Sequence, residues 1–150
     1  MVEPINRTIE VSTDPKTAFA IFTDRMANWW PLDTNSVSAM SGEISQSLEI
    51  EPRVGGQLIE TKSNGEREIW ARVKAFEPGE RLVLAWHVMA PEDKATEVEI
   101  RFTANGSGTR VDLTHRGWEI MGEDGETNRG HYENGWVRVF EECFAGACAA

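Results

Sequence analysis

Between residues 44 and 116 the chain writes one pattern six times over: a run of apolar and polar residues in alternation, set off from its neighbours by turn chemistry. Alternation at a period of two is the mark of a strand with one face buried. The runs fall at about 44–51, 57–62, 66–76, 81–89, 96–103 and 109–116, and Gly55-Gly56, Asn64-Gly65, Pro78-Gly79 and Asn105-Gly106 supply turns between them. The clearest is Val98, Ile100 and Phe102 set against Glu97, Glu99 and Arg101. Six such runs with short connections can only pair as an antiparallel meander, and its apolar face must then be covered by something else.

The flanks supply the cover. Ile5, Arg7, Ile9 and Val11 stand opposite Asn6, Thr8 and Glu10 in a first strand, 5–11. Asp14-Pro15 is a helix start, since Asp caps and Pro suits the first helical position. Ala18, Phe19 and Phe22 then give a short helix to about Thr23, and a second runs from Asp24 to the Trp29-Trp30-Pro31 stop. From there to Gly42 a flap is expected, and a charged, Gly-rich loop over Glu119–Asn128. At the end, Tyr132, Trp136, Val139, Phe140, Cys143, Phe144 and Ala147 form a helical stripe, which must be held by packing because Gly130 and Gly135 each cost about 1 kcal/mol against Ala. The expectation is one α+β domain over 1–150, a curved antiparallel sheet of about seven strands wrapped around a long C-terminal helix, with two short helices after the first strand.

Ile9 through Pro15 into Phe19 and Phe22, Trp29-Trp30-Pro31, Arg53-Val54-Gly55-Gly56, Arg81 to Trp86, Gly108-Thr109 entering Leu113-Thr114-His115, and Gly135-Trp136 opening the last helix together resemble the START/aromatase-cyclase (SRPBCC) superfamily. Within it they are most similar to the subfamily of the C-terminal domain of the activator of heat-shock protein 90 ATPase. The resemblance covers nearly the whole chain and implies a helix-grip fold, in agreement with the periodicity. It does not imply one activity: such domains bind lipids, hormones and polyketides, act as aromatase/cyclases, or serve as a co-chaperone module.

Six tryptophans are many for 150 residues, and the implied fold brings them around one hollow. The wall residues expected are Trp29, Trp30, Trp86, Trp118, Tyr132 and Trp136, with His115 as a polar contact; His115 shares strand parity with Val111 and Leu113 and so points inward. Each Trp also fills a core by itself, and an inward His is often just a core residue with its hydrogen bonds met. By the same parity Trp70, opposite Ile69 and Ala71, faces outward; Glu49, Glu51 and Glu60 alternate along strands and are read as a solvated sheet face, the alternative being a carboxylate that faces the cavity as an acid or base.

Several functions are disfavoured. A net charge of −10 with no Lys/Arg run opposes nucleic acid and anionic membrane surfaces. No stretch approaches the length of a membrane span, and Met1 to Glu10 has no apolar leader, so a cytoplasmic protein is expected. His87, His115 and His131 show no metal-ligand spacing, and no GxSxG, GxGxxG or Walker loop is present, so neither metal nor cofactor is expected. Cys143 and Cys148, five apart on one helix, point about 140° apart and cannot bridge. The leading expectation is a binder of a hydrophobic, aromatic or polyketide-like small molecule, monomeric or homodimeric. The alternatives are a polyketide aromatase/cyclase-like enzyme and a co-chaperone-like protein-interaction module.

Overall fold

Residues 2–149 are described by a computed structural model. Strands β1 (Ile5–Val11), β2 (Ser47–Ile50), β3 (Gln57–Thr61), β4 (Arg67–Glu77), β5 (Arg81–Trp86), β6 (Thr96–Asn105) and β7 (Gly108–Arg116) form one curled sheet in the order β1-β7-β6-β5-β4-β3-β2, every neighbour antiparallel. The meander is thus closed by β1, which pairs along β7 from Ile5 opposite His115 to Val11 opposite Thr109.

Two bulges on β4 bend the sheet. Leu58 and Ile59 of β3 face Ala71 and Ile69, leaving Trp70 as an extra residue, and Val73 and Ala75 face Leu84 and Val83, leaving Lys74 extra. A bulge re-aims side chains and raises local twist. Strand parity predicts Trp70 outward, yet after the bulge Trp70 and Ala71 are buried side by side, Trp70 at 2 % exposure.

Helix α1 (Pro15–Thr23) starts on Asp14, whose carboxylate accepts from the Thr17 N–H and hydroxyl. Helix α2 (Met26–Trp29) stops at Trp30, held extended before Pro31. The C-terminal rod begins earlier than its composition suggests. Gly117, at φ 88°, turns the chain out of β7, a tight turn spans Trp118–Asp124, and α3 (Gly125–Trp136) follows directly. A Cβ at Gly125 would lie 2.6 Å from the Trp118 carbonyl, so only glycine lets the helix start against that turn. The rod continues as a π-helical stretch, Val137–Phe144, and ends as α4 (Ala145–Ala149).

Trp136, Val139, Phe140, Phe144 and Cys148 are the buried face of this rod. Its C-terminal half packs on β1 and α1, where Phe144 meets Phe22 and Trp29 edge to face or tilted, and Phe19 and Phe22 meet Phe102 of the sheet. The aromatic core therefore fills one end of the grip, and the other end is left for the cavity. No helix among the described residues is long and apolar enough to cross a membrane.

Candidate functional site

A cavity of about 470 Å³ opens between the sheet and α3, within the usual size range of small-molecule sites. Trp30 from the end of α2, Trp70 from the β4 bulge, Trp86 from the end of β5 and Trp136 from α3 are its walls, joined by Tyr132 and Val139. The rings touch: Trp30 lies 5.2 Å from Trp70, 6.3 Å from Trp86 and 6.0 Å from Trp136 between ring centres, and Trp70 lies 5.8 Å from Trp86. At the mouth stand Met40 of the segment after α2, Met89 of the β5–β6 connection and Met121 of the turn before α3. Met40 and Met89 are 71 % and 65 % exposed, and Met89 holds a left-handed φ of 55°.

All six indole N–H groups are already used. Trp29 donates to the Ile21 carbonyl at 2.7 Å, Trp30 to Asn35 O at 2.6 Å, Trp70 to Glu60 Oε1 at 3.0 Å, Trp86 to Tyr132 Oη at 2.9 Å, Trp118 to His115 O at 3.0 Å and Trp136 to His115 Nδ1 at 3.1 Å. What the tryptophans offer a ligand is therefore carbon. Polar recognition falls to Tyr132, which accepts from Trp86 and keeps its own O–H, and to Asn35, Asn128 and His131 on the lining. Burial pushes the Tyr132 pKa up, against the opposing pull of the Trp86 N–H, so the hydroxyl stays a neutral donor at physiological pH.

Trp30, Trp86, Tyr132 and Trp136 thus line the cavity, while Trp29, His115 and Trp118 stand in the layer behind it. His115 is fully buried. Because the Trp136 indole can only donate, Nδ1 of His115 is the acceptor, and the ring proton sits on Nε2, 2.7 Å from Thr96 Oγ1. Thr96 passes its own hydrogen to the Trp86 carbonyl at 3.3 Å. With both nitrogens occupied, burial holds the imidazole neutral and lowers its pKa to about 3. It ties Trp136 and, through Thr96, the end of β5 together, and it is not among the residues that line the cavity.

Glu60 corrects another expectation. It is fully buried and accepts five hydrogen bonds, from the N–H groups of Val37 (2.9 Å) and Ser38 (3.0 Å), the hydroxyls of Ser38 (2.7 Å) and Ser45 (2.5 Å), and the Trp70 indole. Burial pushes its pKa up, but the Ser45 and Ser38 hydroxyls and the two backbone N–H groups more than offset this, leaving it below the ordinary carboxylate value. Trp70, Met40, Met89 and Met121 are wall and mouth residues that strand parity and helical spacing miss. Only Trp70 left a trace, in the unbroken apolar run Ile69-Trp70-Ala71.

Among the described residues no group of three or more His, Cys, Asp and Glu side chains is placed to hold a metal ion, and no carboxylate lines the cavity.

The Activator of Hsp90 ATPase homolog 1-like protein family matches residues 12–145. No protein of curated function matches the chain. Among solved structures, the anthrahydroquino-γ-pyrone synthase Txn09, complexed with SUM, is similar at 29 % identity over 97 % of each chain with a TM-score of 0.67. The self-sacrificing resistance protein CalC from Micromonospora echinospora shares the fold at 22 % identity, over 97 % of this chain and 93 % of its own, with a TM-score of 0.67. So does the Aha1 dimer from Colwellia psychrerythraea, at 19 % identity over 93 % and 92 % with a TM-score of 0.64.

Proposed function

This chain belongs to the Activator of Hsp90 ATPase homolog 1-like protein family, and from that premise we propose that it binds a flat, ring-rich, largely apolar small molecule in the cavity against α3. The observation that carries the reading is the wall itself: four indoles from four separate elements converge on one open space with every N–H already engaged by the protein. Such a surface rewards ring faces, which stack on it, and offers an ionised group no charged partner. The likeness to Txn09, complexed with SUM, supports a ligand-binding role for this fold.

The test is a titration of intrinsic tryptophan fluorescence with neutral polycyclic aromatics, anthraquinones and flavonoids among them, beside fatty acids and sterols. The reading expects saturable quenching by planar aromatic compounds, weakened at least tenfold by Trp136→Ala and little altered by Trp29→Phe, whose ring lies behind the wall. Absence of saturation by any of them defeats it.

The Txn09 likeness also favours a second reading, a cyclase-like enzyme in which the walls press a flexible polyketide-like chain into a ring-forming shape. His131 and Tyr132 are the titratable groups on the lining that would move protons. Turnover of a linear poly-β-keto thioester, lost in His131→Ala or Tyr132→Phe, distinguishes it from binding alone.

A further inference from the structure

The segment between Leu32 and Gln46 carries one side of the cavity mouth, through Thr34, Asn35, Ser36 and Met40, and it is seated in an unusual way. Surface segments are normally pinned by burying their apolar residues. Here the large apolar side chains face solvent, Met40 at 71 % and Ile44 at 63 % exposure, while the buried residues are Ser36, Ser38 and Ser45. What holds the segment down is hydrogen bonding, and the largest share of that converges on one carboxylate: Val37 and Ser38 at the start of the turn Ser38–Ser41 and Ser45 after it all donate to Glu60 on β3.

We infer that this segment is the gate of the cavity and that Glu60 is the latch that holds it shut, an inference that rests on the cavity being a ligand site. Three features support it. The remaining ties lie toward the ends of the segment or in solvent: Trp30 to Asn35 O, Arg138 to Thr34 Oγ1, Ser63 to the exposed Glu43, and Gln46 where it joins β3. These leave the stretch around Met40 free to swing once the central tie is broken. The latch also grips the wall, since the fifth donor to Glu60 is the indole of Trp70, so opening and a loosened wall are one event. Finally, the arrangement requires a carboxylate. Five donors meet two oxygens with no hydrogen of their own, whereas an amide of the same size, whichever way it turned, would set its NH2 against an N–H that can only donate, Val37 and Trp70 on one side or Ser38 on the other.

Glu60→Gln is the direct test, read by two signals that need no ligand and so decide the gate separately from the titration that decides binding. The amides of Val37 and Ser38 are expected to exchange with solvent at least tenfold faster, with those of Ile100 and Leu113 in the sheet centre within twofold of wild type. Acrylamide quenching of tryptophan fluorescence is expected to rise at least twofold, because the neutral quencher now enters the cavity more freely. Exchange at Val37 and Ser38 within twofold of wild type overturns the latch, and faster exchange there without a rise in quenching overturns the gate. Equal acceleration at all four amides also overturns it, because Glu60 then supports the whole fold rather than the segment. Should Glu60→Gln fail to fold, Ser45→Ala removes one tie and leaves the carboxylate; the same two signals are expected to move together by at least threefold and 1.5-fold, and their failure to do so rejects the inference.

Discussion

Tyr132 stands where two requirements meet. Its oxygen is the acceptor for the Trp86 indole, and its O–H is the polar handle the aromatic wall otherwise lacks. Tyr132→Phe leaves a buried N–H without a partner, which costs about 1–3 kcal/mol, and chemical denaturation is expected to show a loss in that range. In ligand titrations the same variant is expected to weaken a carbonyl-bearing aromatic about tenfold while leaving a hydrocarbon of the same shape unaffected. His115 makes a different demand. Folded, it is neutral with a pKa of about 3, against 6.5 for a free imidazole. Between those values the unfolded chain takes up a proton that the folded one refuses, so the stability contributed is complete above pH 6.5 and drains away as the pH falls toward 3. Urea unfolding is expected to show about 2 kcal/mol lost between pH 7 and pH 5, a range chosen above the titration of the carboxylates. In His115→Gln that dependence is expected to vanish.

At the scale of elements, α3 is built with a weakness that can be repaired. A methyl group on Gly130 would meet nothing within 4 Å, and its backbone is helical, so Gly130→Ala is expected to stabilise the protein by about 0.5–1 kcal/mol, seen as a melting temperature raised by roughly 1–4 °C. Gly135 is not equivalent, since its Cβ would stand 3.6 Å from Asn35 beside the cavity. The strands and the final stripe were readable from periodicity, because each is fixed by local alternation. The inward placement of Trp86 and His115 followed from strand parity, and the burial of Trp136 from the helical stripe. What failed to follow depends on partners. Trp70 is turned by a bulge whose existence is decided by how β3 pairs with β4. Glu60 shares parity with Leu58, but its acceptance into the interior needs donors from a segment 15 to 23 residues away that has no periodicity of its own. The division of the aromatic residues into lining and backing layers likewise escapes sequence, because Trp29 and Trp30 are neighbours in the chain and only the extended turn at Trp30 sends the second ring to the cavity.

For the whole molecule, the aromatic core at one end and the hollow at the other leave the folded state room to gain from a ligand. A compound that binds only the folded state, present at a hundred times its dissociation constant, adds about 2.7 kcal/mol, and for a domain of this size a thermal melt is expected to rise by roughly 5–10 °C. A compound that quenches fluorescence without raising the melt would be attached to the surface. The packing of the four wall indoles has an optical consequence. With centres 5.2 to 6.3 Å apart around Trp30 and Trp70, excitation absorbed by one ring hops to the next before it is emitted. The set therefore behaves as a single antenna whose light is depolarised at the source, and a guest that touches any one member darkens them all.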